Sequence, residues 1–417
     1  MAALSLLLQG CATQGHSTTD TGYQTTLGKV AVVATALEPE IRFEALGQGE
    51  SAAFGASYSL LLCLQAAHGT GFAGAPILLF NLGYCALAAA AGGVAGAALV
   101  PSAESVQAAR TQLSSAVVTQ TIQESLRKQV VVAMRAHGTK LVDVDMIGLP
   151  STPTRNYRAL SGLGADTVLE TELTRVGTLG VGMHRLTLFL QARVRAIRTI
   201  DNVQLFATDY VHLGKRLGLA EWVADEGKEL LQALEAAHEV MGAHIHDSVF
   251  LLYRFPDQAP GLLGNLFPTT FGLAPILPVT NFGATGERLE KFHFLFTDKL
   301  RPTFQWERFP READLKRAPE EMARAKNITY DLVLTRESDL FPTEAVYRRE
   351  GLTENTHDLE TPLMPDTRYF WTVRARFELD GRRRVTEWGS YRYEASDRFT
   401  SPSYFSYRFM TERILNE

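Results

Sequence analysis

Cysteine is scarce in this chain of 417 residues: Cys11, Cys63 and Cys85 are its whole complement. Three thiols close at most one bridge, which excludes a disulfide-stapled scaffold. An excess of basic charge is also missing, since 41 Lys and Arg stand against 46 Asp and Glu for a formal net charge of −5. A dedicated nucleic-acid binder needs basic surface to displace counterions, so that class is excluded. The signatures of common chemistries are absent as well. There is no G-x-S-x-G elbow and no P-loop, and no G-x-G-x-x-G opens a helix after a strand. His238, His244 and His246 stand beside Glu239 and Asp247, but their spacings of six and two residues place them on different helix faces. That pattern predicts a solvated, polar helix end and not a metal centre. No cofactor is indicated, and the chain reads as non-enzymatic.

Charge is missing locally too. From Ser51 to Ala103 a run of 53 residues holds no Asp, Glu, Lys or Arg. Two apolar arms, Ala52–Ala67 and Phe72–Val100, flank Gly69, Gly71 and Gly74, with Pro76 just beyond. The pattern predicts a helical hairpin over 51–101. Small residues recur every four positions, at Ser51, Gly55 and Ser59 and again at Ala88, Gly92 and Gly96. Gly55, Ala88, Gly92 and Gly96 form the predicted packing face of a glycine-zipper-like pattern, where two backbones approach closely. The second arm is long enough to span a bilayer and the first is marginal. Three readings fit: the hairpin inserts in a membrane, packs against other copies to build an oligomer, or is buried within the folded domain. A soluble monomer does not leave so much apolar surface in water.

What is present begins at the N-terminus. Residues 2–8 are apolar apart from Ser5, carry no Lys or Arg, and lead into Leu8-Gln9-Gly10-Cys11. This resembles the lipobox of bacterial lipoproteins, with an aliphatic residue three before the cysteine and a small residue directly before it. The resemblance implies a signal peptide over 1–10, cleavage before Cys11, and acylation of Cys11 with fatty chains such as palmitate, which would anchor the protein stably in a membrane. Ala12 in place of Asp implies the outer membrane, with the protein facing the periplasm. A start upstream of Met1 would supply the basic residues that such a signal peptide carries. Residues 11–25 are polar and rich in Gly, Ser and Thr, and read as a tether. With Cys11 acylated, Cys63 and Cys85 remain as an even pair, which suits an oxidising compartment. A Cys63–Cys85 disulfide and two buried free thiols both fit.

Residues 26–50 and 102–256 read as one α/β domain. VAVVATALEP is a short β-branched strand. A long amphipathic helix is predicted from Glu104 to Ala136, with an apolar stripe through Val106, Leu113, Val117, Ile122, Leu126, Val130 and Met134. LVDVDMI reads as a strand and Asn156–Leu163 as a helix. TVLETELTRVGTLG and the alternating run from Leu186 to Ala196 are the clearest strands, and VQLFATDYVHL returns as a hairpin partner after Asp201-Asn202. Glu170 and Glu172 are expected as surface charge, with Arg193 and Arg195 as cross-strand partners. Glu221–His246 reads as a helix. This element order, with Gly164-Ala165-Asp166 before a strand carrying Glu170 and Glu172, is similar to the small α/β domain of envelope lipoproteins related to the curli secretion-channel subunit and to the N-terminal domain of the Tol-Pal propeller protein. That resemblance implies a part in secretion, assembly or envelope maintenance, and carries over no functional residue.

Residues 257–297 carry no charge between Asp257 and Glu287 and read as a Pro/Gly linker. Beyond them the pattern is all-β. Trp306 lies on an early strand, and Leu363-Met-Pro365-Asp-Thr367-Arg-Tyr369-Phe-Trp371-Thr-Val373-Arg-Ala375 precedes an Asp380-Gly381 hairpin turn. This resembles a fibronectin type III domain over 298–395, in which the tyrosine hydroxyl ties the corner of the sandwich. No Arg-Gly-Asp occurs, so integrin-type adhesion is not indicated. Arg382, Arg383 and Arg384 are predicted on a solvated hairpin tip, and 396–417 is an aromatic tail. The predicted class is therefore α+β multidomain: a mixed α/β sandwich interrupted by a glycine-rich apolar hairpin, followed by an all-β sandwich. The function read from it is binding or assembly by a lipid-anchored envelope protein. The expected partners are the membrane, other proteins and further copies of the chain, with no nucleic acid. The rivals are an oligomeric export or channel component and an enzyme with an accessory β domain.

Overall fold

The computed structural model describes residues 23–43, 103–118, 121–142, 156–180, 186–253, 255, 269–278, 296–297, 299–338, 341–392 and 407–411. Cys11, Cys63, Cys85 and the small-residue face of Gly55, Ala88, Gly92 and Gly96 lie outside the described residues, as does the whole predicted hairpin. The described residues form a mixed α+β protein with several sheets. Among them no helix is long and apolar enough to cross a membrane.

Tyr23–Thr26 (α1) is one short turn ahead of Val30–Ala34 (β1), whose five residues are all buried. A strand covered on both faces reads as a continuous apolar run, and VAVVA is one. Glu40–Phe43 (β2) follows. Ala103–Val118 (α2) and Ile122–Ala136 (α3) replace the single helix expected over 104–136. Thr121, with ψ of 60°, stands between them. The sequence Val117-Val118-Thr119-Gln120-Thr121 is rich in β-branched residues, which are weak helix formers. The stripe Ile122, Leu126, Val130 and Met134 is buried at helical spacing. Leu141 makes a single bridge to Val30 and the Val142 amide donates to the Val30 carbonyl at 2.9 Å, and residues 143–147 lie outside the described residues.

After the short Arg158–Ser161 (α4), Thr167–Gly180 (β3), Leu186–Arg198 (β4) and Gln204–Leu217 (β5) run as an antiparallel meander. β1 and β2 both pair parallel with β3, one after the other along its free edge. Leu188, Leu190, Ala192, Val194 and Ala196 face the helices, as the alternation predicts. Val30 and Val32 join that core, whereas Ala31 and Val33 pack on the opposite face with Tyr157, Leu160, Val168 and Ile197.

The helix expected from Glu221 to His246 is broken. Leu219–Val223 (α5) ends in a turn where Asp225 and Glu226 take φ of 48° and 58°, and Lys228–His246 (α6) restarts beyond Gly227. Trp222 is the reason the break holds. Its buried indole donates to the Leu186 carbonyl at 3.0 Å, fixing α5 against the start of β4. α6 then lays Leu230, Leu234, Ala237, Met241 and Ile245 into the core.

Thr269–Phe271 (β6), Pro275–Leu277 (β7), Phe296–Thr297 (β8) and Thr303–Trp306 (β9) open the second unit. Glu312–Arg317 (α7) and Pro319–Ala323 (α8) precede Lys326–Ser338 (β10), Phe341–Leu352 (β11), Thr356–Asp358 (β12), Arg368–Leu379 (β13), Arg382–Val385 (β14), Ser390–Arg392 (β15) and Tyr407–Thr411 (β16). One sheet has the order β11-β10-β13-β16-β8, with β14 also on β13. A second has the order β12-β9-β7, and β15 pairs with β6. Stretches whose composition reads as linker (257–297) and aromatic tail (396–417) thus supply β6, β7, β8 and β16. Phe304, Trp306, Leu332, Leu334, Tyr369, Trp371, Val373, Ala375 and Phe409 fill the core of this unit. The Tyr369 hydroxyl accepts the Met364 amide at 3.0 Å.

α6 passes tightly against α3 at Gly242, where a Cβ would lie 2.7 Å from the Gln129 carbonyl carbon. Replacing Gly242 with Ala or Val forces the helices apart. A loss of about 1–3 kcal/mol is expected, larger for Val, measured as a lowered urea midpoint at unchanged slope.

Candidate functional site

The densest group of buried charges lies where α6 meets the second unit. After His246 the helix widens into a π-turn over Asp247–Leu251, which swings Asp247 inward. The Asp247 carboxylate accepts Arg374 Nη1 at 2.6 Å. Arg374 Nε donates to Asp331 Oδ2 at 2.9 Å, and Arg376 Nε donates to the same oxygen at 2.5 Å. Arg374 also stacks over Trp388, 4.4 Å from the ring centroid.

β10 and β13 explain this convergence. Asp331 lies opposite Arg374 in the antiparallel register. Both alternate with the core residues Tyr330, Leu332, Val373 and Ala375, so both face outward from the β core. Yet Asp331 and Arg374 are only 1% and 5% exposed. The end of α6 covers this face. Asp247 and the Trp388 ring sit over Arg374, while beyond the π-turn Tyr253 packs edge-on against Phe377 on the core face and its amide donates to the Val385 carbonyl at 2.9 Å. The Gln24 side chain bonds the Val249 and Leu252 carbonyls at 3.1 Å each and accepts Arg384 Nη1 at 2.6 Å. Arg382 and Arg383 are exposed, as expected of a hairpin tip, whereas Arg384 is tied to α1.

His246 and His137 stack with centroids 4.4 Å apart and planes 25° apart. His137 Nδ1 lies 2.8 Å from the Ala133 carbonyl, which makes it a donor there. His246 Nδ1 lies 3.2 Å from Asp247. Ligand atoms of His137, His246 and Asp247 fall within 4.8 Å of one another. The geometry is nonetheless poor for a cation. Stacked imidazoles aim their lone pairs along parallel planes instead of at a common point, and Asp247 is already committed to Arg374. His244 turns away to meet Tyr210 edge-on at 5.4 Å, so the divergence of His244 and His246 inferred from spacing is present.

The expected solvated helix end is corrected, because His238 and His246 are 2% and 0% exposed. α6 is covered by α3 on one side and the sheet on the other, so side chains on two faces are buried. Burial alone pushes His238 down to about 4. Burial, with the neighbouring His244 and His238, pushes His212 down to about 4. His244 is lowered chiefly by burial, with Asp247 opposing. Burial raises Asp247, but its His246 hydrogen bond and the Arg374 charge outweigh this and hold it well below the usual carboxylate range.

Glu170 and Glu172 require a second correction. Glu170 is 1% exposed and not surface charge. It accepts the Tyr157 hydroxyl and an Arg195 guanidinium nitrogen, and the same nitrogen reaches Glu172 at 3.0 Å. Tyr157, carried over this sheet face just ahead of α4, supplies the burial. Arg195 is thus the cross-strand partner that the pattern predicts, whereas Arg193 pairs with Asp209 on β5 at 2.7 Å.

Removing Asp331 leaves Arg374 and Arg376 facing each other with one carboxylate fewer. Asp331→Ala is expected to cost about 3–5 kcal/mol in urea denaturation, and Asp331→Asn less, because it keeps an acceptor. The histidines set a pH window. Their pKa values are depressed in the folded state, so the unfolded chain binds the protons first. Stability is therefore full above pH 6.5 and falls as the pH drops from 6.5 to about 4. His238 accounts for about 3 kcal/mol of this fall, and His238→Leu flattens the dependence measured by denaturation at stepped pH.

No protein-family model matches the chain, and no curated protein matches it. Among solved structures, 32% of the chain is similar to 84% of the hypothetical protein CT253 from Chlamydia trachomatis, with 13% identity and a TM-score of 0.24. A lipoprotein, GNA1162 from Neisseria meningitidis, is similar over 30% of this chain and 90% of its own, with 14% identity and a TM-score of 0.20. Both likenesses cover about a third of the chain, and the functional reading rests on the residues.

Proposed function

We propose that this chain is a lipid-anchored protein of the bacterial envelope, held at the outer membrane through Cys11 and facing the periplasm, which acts by binding or assembly and not by catalysis. The observation that carries this reading is Leu8-Gln9-Gly10-Cys11 at the end of a short apolar run, followed at once by a polar stretch. A non-catalytic role is supported by the way buried carboxylates are engaged. Glu170 is held by Tyr157 and Arg195, Asp314 by Arg311, and Asp247 and Asp331 by Arg374. The second unit supports a binding role as a fibronectin type III-like module. Its strand orders β7-β9-β12 and β11-β10-β13, its buried Trp306 and the Tyr369–Met364 bond favour that assignment.

The uncharged run of 53 residues from Ser51 to Ala103 favours a second reading, an oligomeric export or channel component whose hairpin enters the membrane. Labelled palmitate is expected to enter the wild-type chain and not Cys11→Ala, and globomycin is expected to accumulate the unprocessed form. A wild-type chain that fractionates soluble and unacylated defeats the anchoring reading. A ring-sized species after detergent extraction favours the second reading, and a small monomer excludes it.

A further inference from the structure

We infer that the end of the central sheet formed by the α4–β3 turn and the β4–β5 hairpin is a lipid-contacting tip, which seats Leu163 and Ile200 in the interface of an anionic bilayer. Ile200 is 74% exposed, Leu163 62% and Val203 45%. Scattered apolar residues are ordinary on a surface, but these lie on two turns that are stitched together. Thr199 Oγ1 donates to the Ala165 carbonyl at 2.6 Å, and the Thr199 amide donates to the Asp166 carbonyl at 3.0 Å. The Tyr157 amide donates to Asn202 Oδ1 at 2.8 Å, and Arg158 Nη2 reaches the Asp201 carbonyl at 3.3 Å. A β-branched apolar residue in an exposed turn is poor turn chemistry, where Gly, Asn, Asp or Ser is the rule. Local stability does not account for Ile200.

Position and charge specify the occupant. The Lys29 amide donates to Asp166 Oδ2 at 2.8 Å, so the chain arriving from Cys11 is fastened to this same end. Ala12–Gly22 add eleven residues before α1, a reach of about 40 Å when fully extended. The end carries Lys29, Lys140, Arg158 and Arg198 against Asp166 and Asp201, an excess of two positive charges on a chain whose net charge is −5. Lys140 is placed there by the Val30 amide bonding its carbonyl at 2.9 Å. An apolar tip ringed by basic side chains, close to the point of anchorage, matches an anionic lipid surface.

The inference deepens the anchoring reading and rests on it for the nearness of the bilayer. The test uses the full chain carrying Ile200→Trp, with wild type as the baseline for the native tryptophans. The vesicles contain phosphatidylethanolamine and phosphatidylglycerol at 3:1, with or without brominated acyl chains. The emission added by the new tryptophan is expected to shift to the blue on these vesicles and to fall at least twofold with brominated lipid. Leu163→Asp in the same chain is expected to abolish both changes. Unaltered emission while the acylated chain floats with the vesicles overturns the tip, as does a blue shift that appears without lipid and grows with protein concentration, which would mark a second copy as the occupant. Intact mass separates the two readings. If Cys11 carries no acyl chain, anchoring fails, and the same quenching by added vesicles then supports or overturns the tip on its own.

Discussion

Arg374 is buried between a carboxylate from each unit, Asp247 and Asp331, and the arrangement of the two units depends on it. A buried ion pair contributes little net stability, because the cost of removing charge from water nearly offsets the attraction. What it does enforce is geometry. A guanidinium offers fixed donor directions, and only one seating of the π-turn on the β10–β13 face brings Asp247 to Nη1 at 2.6 Å while Nε keeps Asp331. The apolar contacts on the core face of β13, Tyr253 on Phe377 and Tyr253 on Phe255, supply cohesion without choosing an orientation. The ion pairs choose.

That choice fixes other features. Gln24 bridges the last carbonyls of the π-turn to Arg384, so α1 is ordered by both units at once. Five residues later Lys29 meets Asp166. At Gly28, with φ of +60°, a Cβ would lie 2.3 Å from the Asp166 carboxylate, so only glycine allows the chain to pass. The incoming segment is therefore clamped first at the junction and then at the sheet end. Under the anchoring reading, this double clamp transmits the position of the lipid to both units.

Much of this was legible in the sequence where a single period governs. β4 alternates, and its inward residues are those the alternation selects. The stripe from Ile122 to Met134 is buried as written. The misreadings occur where a second layer intervenes. One continuous helical pattern runs through Asp225 and Glu226, yet Trp222 locks α5 to the sheet and breaks it. Glu170 looks like half of an exposed acidic pair until Tyr157 covers it. Asp331 and Arg374 occupy outward positions of a sandwich, and no local pattern says that such a face will be covered. A signal did exist: opposite charges on two strands of one sheet, flanked by aromatic residues at Tyr253 and Trp388. It becomes readable only with the register in hand.

The histidines of α6 bear on what kind of protein this is. His238 Nε2 is buried without a hydrogen-bond partner among the described residues. Its ring is kept for packing, as an apolar body on a helix covered from two sides. His246 is spent differently, stacked on His137 and directing a nitrogen at Asp247. Both rings are closed off from water, at 2% and 0% exposed. Both rings therefore serve the structure, His238 as packing and His246 as a strut that directs Asp247, whose other oxygen takes Arg374.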